Sequence, residues 1–185
     1  MKLLLIAWCC FLTISSLRAQ NISYSGQLEA GILNGESGYP VFSVQTFHGI
    51  RFKQQQLETG LVAGVDAYSQ MVLLPVMLSA KWNPYSSRPV SPVLSWGGGY
   101  GFDWLQRRTR GIDYEGGYLI NPSLGIRVKT RKASKVSFSI GYKKQLATIH
   151  RSEFSIPAVD SFAPTSETVE KYKFHRISVM FGLNF

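Results

Sequence analysis

Cysteine is nearly missing from this chain: Cys9 and Cys10 are its only two in 185 residues. Both fall inside an opening apolar run, Leu3 to Leu12. A mature chain beginning beyond that run contains none, which excludes disulfide stapling, thiolate chemistry and cysteine-ligated zinc. Histidine is almost as scarce. His48, His150 and His175 stand far apart, with no pair at metal-ligand spacing. No segment reaches the roughly 20 apolar residues that a membrane-spanning helix requires. No window sustains the 3.6-residue apolar period of a long helix, and there are no internal repeats or low-complexity tracts. Acids are the minority charge, 11 Asp and Glu against 20 Lys and Arg, for a formal net charge of +9.

What is present begins with an export signal. Met1-Lys2 supplies a positive start, Leu3 to Leu12 an apolar core, and Ser15-Ser16-Leu17-Arg18-Ala19 ends on a small residue suited to cleavage. Bulky Trp8 before Cys9 argues against a lipoprotein site, so cleavage is expected after Ala19, giving a signal peptide over 1–19 and a single mature domain over 20–185. Removing Lys2 and Arg18 lowers the charge from +9 to +7. That excess favours anionic surroundings such as lipid headgroups or lipopolysaccharide phosphates, and an exported location excludes nucleic acid as a partner.

The mature sequence alternates apolar and polar residues in segments separated by polar, Gly- or Pro-containing stretches. Such segments lie near 22–32, 41–53, 57–68, 71–82, 90–104, 114–130, 134–148 and 171–185, which predicts an all-β fold, an eight-stranded antiparallel up-and-down transmembrane β-barrel. Apolar groups on one face suit lipid. The Ser, Gly, Gln and scattered charges on the other suit a narrow polar interior. Alternation assigns Glu29, Asp66 and Asp103 to that interior with Arg51, Lys81, Arg127, Lys129, Lys143 and Arg176, charges of both signs that can pair because unpaired buried charge is costly. With the N-terminus periplasmic, the longest connection, 149–170, falls on the outer side, and the periplasmic connections are short. Tyr24, Phe42, Phe52, Tyr68, Trp82, Trp104 and Tyr172 sit at strand ends, where interfacial aromatic girdles are expected.

The final segment, Phe174 to Phe185, places Val179, Phe181, Leu183 and the terminal Phe185 on one face. It resembles the C-terminal assembly signal of bacterial outer-membrane barrels, and the resemblance implies recognition of these four residues by the barrel-assembly machinery. Leu61-Val62-Ala63-Gly64-Val65-Asp66-Ala67-Tyr68, Leu74-Pro75-Val76 and Ser91-Pro92-Val93 through Gly97-Gly98-Gly99-Tyr100-Gly101-Phe102 look like the small porin-family outer-membrane barrels of the Bacteroidota. That likeness implies location and fold and carries no catalytic signature.

The chemical motifs are sparse. Gly97-Gly98-Gly99-Tyr100-Gly101 lacks the Lys-Ser/Thr ending and following helix of a phosphate loop, so close packing in a bent strand is expected there. His175 and Ser178, three apart on a strand, point to opposite faces and cannot form a nucleophile and base. His150 lies with Ser152 and Glu153 in the outer connection, a local cluster of ordinary loop composition. No catalytic residue, metal site or cofactor is assigned. Arg107, Arg108 and Arg110 form the sharpest basic cluster, placed to meet lipopolysaccharide phosphates through forked hydrogen bonds. The 149–170 connection, rich in Phe, Ile, Val and Pro, suits an extracellular partner. The leading expectation is an outer-membrane barrel with a structural or surface-interaction role and a lumen plugged by side chains. Two alternatives are a lipid A deacylase or acyltransferase of the outer membrane, and a secreted lipocalin-like barrel that binds an apolar ligand.

Overall fold

Segments in which β-branched and aromatic residues recur at every second position become strands, and no helix occurs among the described residues. The computed structural model describes residues 22–35, 39–69, 71–105, 111–130, 134–153 and 166–185. Its strands are β1 (Ile22–Gly35), β2 (Val41–Phe52), β3 (Leu57–Ala67), β4 (Val72–Trp82), β5 (Val90–Phe102), β6 (Ile112–Glu115), β7 (Gly117–Lys129), β8 (Lys135–Glu153) and β9 (Ser166–Asn184). The 1–19 leader, the Arg107, Arg108 and Arg110 cluster and residues 154–165 lie outside the described residues.

β1 to β4 each pair antiparallel with the following strand, β5 pairs with β7, β7 with β8, β8 with β9, and β9 returns to β1, so the wall closes with no free edge around its girth. β6 and β7 are two parts of one wall strand, which makes the barrel eight-stranded. Glu115 pairs with Thr148 but Leu119 with Gln145, so one extra residue is accommodated between them as a bulge. Gly116 occupies this step, where a Cβ would stand 1.9 Å from the Gly101 carbonyl oxygen. The seam is made by the last residue: Gly26 and Phe185 exchange two backbone hydrogen bonds of 3.0 Å.

The register fixes the tilt. Pairs run Ser23 to Arg51, Glu58, Lys81, Ser95, Ser123, Gly141, Ser178 and then Leu33, returning to β1 ten residues beyond the start. With about 3.3 Å per residue along a strand and about 4.7 Å between strands, that stagger inclines the strands by about 40°. So steep a tilt brings side chains from distant strands into the same interior layer.

Several boundaries differ from the sequence expectation. Residues 149–153 and 166–170, expected as connection, continue β8 and β9 with pairing out to Glu153 and Ser166. The two strands satisfy each other's backbone groups beyond the wall, and β6 adds a third strand against β8 there. β5 ends at Phe102, so Asp103 and Trp104 leave the ladder once its β7 partners run out at Gly117. Tyr68 and Tyr172, expected in an outer girdle, pack inside. Their parity is that of inward Asp66 and Phe174, and their rings stack on Phe174 at 4.3 and 5.7 Å. Tyr24, Phe42, Trp82 and Trp104 are exposed.

The barrel has two unlike ends. At the end opposite the described chain ends, Leu33, Val41, Leu73, Ile149 and Phe174 join Tyr68 and Met71 in an apolar cap. Nearer mid-wall, Phe47, Val62, Met77 and Leu119 form a second apolar cluster, and the remaining interior is polar.

Candidate functional site

Burial alternates along the strands, so one parity of each enters the lumen. Of the charges expected there, Glu29, Asp66, Lys81, Arg127, Lys143 and Arg176 are buried, and Arg51 keeps 24% side-chain exposure near the mouth at the end carrying residues 22 and 185. Asp103 is a correction. It follows the last residue of β5 and is half-buried in the connection rather than lumenal. Lys129 is a second correction, because the wall ends beneath it: it is exposed at the rim, and its Nζ donates to the Ser87 carbonyl at 2.7 Å.

Glu58 was not among the expected lumen charges, yet it organises the layer nearest the terminal mouth. Arg127 donates to both its oxygens at 2.6 and 3.2 Å, Arg51 Nε donates at 2.8 Å and Ser25 at 3.1 Å. Its parity was legible, since it stands on β3 an even number of residues from Asp66. In the next layer Gln27 is the hub, donating to Glu29 at 2.7 Å and Ser137 at 2.9 Å while accepting from Lys81. Gln45 donates to the other Glu29 oxygen at 2.8 Å, and Lys81 also lies over the Phe47 ring at 4.3 Å. Beneath the apolar cap, Asp66 accepts from Ser43 at 2.7 Å and from Lys143. Tyr68 lies just past β3 in that cap, where burial, with the Asp66 charge second, pushes its ionisation well above the ordinary tyrosine range.

Between these layers the remaining space is small. Two cavities of about 20 Å³, one lined by Ser79, Ser95, Ser123, Ser139 and Ser178 and one reaching Ser137, each have room for about one water. Around these two cavities the interior therefore offers fixed, paired charges and spaces the size of a water rather than of a small-molecule substrate.

The outer face is apolar, with Leu28, Ile50, Leu61, Leu78, Leu124 and Phe181 among its exposed side chains. Val179, Phe181 and Leu183 of the expected assembly signal point outward, and the Phe185 ring lies across Gly26, where a Cβ would meet it at 2.4 Å. Among the polar groups that interrupt the band are two Tyr–His pairs. His175 Nδ1 is hydrogen-bonded to Tyr142, and His48 bridges Tyr24 at 2.6 Å (Nδ1) and Thr46 at 2.9 Å (Nε2). A groove of about 620 Å³ runs beside His48 between Ile50, Leu61, Leu78 and Trp96, floored by Thr59 and Ala80.

Thr46, His48 and Tyr24 reproduce the order of a hydroxyl, a base and an orienting group. The amides of 46–48 are committed to ladders with β1 and β3, which leaves no donor pair aimed at an oxyanion. His150 has Glu115 at 3.5 Å across the β6–β8 ladder, and the Ser152 amide donates to Gly111 at 2.7 Å. Among the described residues, no three His, Cys, Asp or Glu side chains converge as a metal site. The chain matches no protein-family model and no curated protein.

Proposed function

We propose that the chain, exported on a cleaved leader, is an integral outer-membrane β-barrel with a structural or surface-interaction role and a lumen closed by its own side chains. The observation that carries this reading is an inversion: large apolar side chains are exposed all round the wall while ion pairs fill the inside. In water such a wall far exceeds the few hundred Å² of contiguous apolar surface that soluble monomers show. In a bilayer it is the required surface. Strands of 11 to 14 residues around β1 to β5, inclined by about 40°, span roughly 30 Å, enough for the apolar band of an outer-membrane barrel.

The test is fractionation of the host with surface proteolysis, paired with gel mobility of heated and unheated samples. A folded, heat-sensitive band in the outer-membrane fraction, cut between 154 and 165 in intact cells, is the expected result. A freely soluble, protease-protected chain overturns it. That outcome would favour the lipocalin-like alternative, against which the outward direction of the apolar faces already weighs. The lipid-modifying alternative, expected from His150 and Ser152, which lie in the paired part of β8, finds its support in a different arrangement, Thr46, His48 and Tyr24 beside the groove. Replacing His48 by Gln with no change in the host's lipid A acylation or phospholipid hydrolysis removes that support.

A further inference from the structure

The barrel sorts its charges by end, which composition does not reveal. At the rim carrying residues 22 and 185, Lys53, Arg88 and Lys129 are exposed, and Lys135 stands half-buried at the mouth within electrostatic reach of Arg51, Arg127 and Lys129. Among the described residues, the one acidic side chain at that end is Glu58, buried and already shared by two guanidinium groups, and the Phe185 carboxylate is the other anion of the rim. No exposed side-chain carboxylate occurs there among the described residues. At the opposite end Asp103, Asp113, Glu115 and Glu170 stand among the cations, with Glu170 paired to Arg151 at 3.2 Å. The excess positive charge of the described surface is thus gathered on the terminal rim.

Aromatic side chains accompany it. Trp82 and Tyr85 are half-exposed at the same rim, Arg88 lies over the Tyr85 ring at 4.6 Å, and Lys129 is tied to the Ser87 carbonyl of the same turn. Aromatic rings beside cations at the edge of an apolar band match the headgroup level of a bilayer, where rings take the interface and cations reach phosphate.

Resting on the membrane reading above, we propose that this rim is a binding surface for anionic phospholipid headgroups, with Lys53, Arg88 and Lys129 as the phosphate contacts. The contact is electrostatic, so it falls with salt and with each cation removed. It also places the anionic-lipid surface at the end away from Phe102 and Ile112, where β5 ends and β6 begins.

The full chain, refolded into vesicles of phosphatidylcholine alone or mixed with phosphatidylglycerol, tests it. Unheated gel mobility reports insertion, and the lipid that co-purifies after mild detergent extraction reports preference. The wild-type barrel is expected to fold in both and to retain phosphatidylglycerol preferentially at low salt. Preference should fall on the order of fivefold for each cation removed across Lys53→Gln, Arg88→Gln and Lys129→Gln, exposed rim residues whose loss leaves the folded band intact. Lys171→Gln with Lys173→Gln, at the other end, should leave preference unchanged. A folded wild-type barrel with no preference, or a triple variant that keeps it, overturns the inference and leaves the membrane reading standing. Equal loss in the Lys171 and Lys173 variant assigns the effect to net charge and also overturns it. Failure to insert into either vesicle overturns the membrane reading, and this inference with it.

Discussion

Glu58 shows how one side chain's height in the wall sets its energetic weight. It is buried near the mouth with Arg127 fully buried against it and Arg51 half-open beside it. Removing one partner of such a pair strands a charge that the interior cannot solvate. Arg127→Met is therefore expected to cost about 3–5 kcal/mol, and adding Glu58→Met to recover most of that. Urea midpoints of the folded band measure both, and equal midpoints for the wild type and the single variant would contradict the pairing. Gln56 illustrates the opposite case. It holds φ of 54° in the β2–β3 turn, a left-handed conformation that costs a residue with a Cβ. Gln56→Gly should stabilise by about 1 kcal/mol, read as a higher urea midpoint with unchanged slope.

Among the elements, β6, β8 and β9 carry the departure from a plain barrel. The added residue at Gly116 lets the wall strand continue upward onto β8, where β6 pairs with residues 148–151. A Cβ there meets backbone, which cannot move aside as a flexible side chain can. Gly116→Ala is expected to destabilise by about 2–3 kcal/mol and to raise amide exchange in β6 before the rest of the barrel. Uniform exchange across the wall would show that the bulge has no such role. At the seam, Phe185→Ala keeps both hydrogen bonds to Gly26 and removes only the ring that covers it. Folding into vesicles is expected to yield the same final band more slowly. An unchanged rate would show that the ring has no part in closing the seam.

For the molecule as a whole, the apolar cap, the paired charges and cavities that hold about one water each leave no conduit through the described interior. Planar-bilayer recordings of the refolded full chain should show no steady conductance steps. Stable, ohmic openings would overturn the closed lumen. The same inside-out partition makes stability depend on pairing in a polar interior as much as on apolar packing: the large apolar side chains face outward, so the enclosed charges must satisfy one another.

Period-two alternation by itself determined the strand type, their number and the inward parity of residues such as Asp66 and Arg127, because a strand's side chains alternate whatever surrounds it. It equally contained Glu58, which the parity of Asp66 places inside. Alternation carries no height, however. The steep stagger brought Glu58 level with Arg127 from β7, and it put Tyr68 against Phe174 from β9. Asp103 and Lys129 have inward parity too, yet the ends of their ladders leave one in a connection and the other at the rim. Which charges share a layer, where the wall stops and which end gathers the excess of cations among the described residues depend on register between strands distant in sequence. Only tertiary closure decides these, since each pairing fixes the next all the way round to the seam.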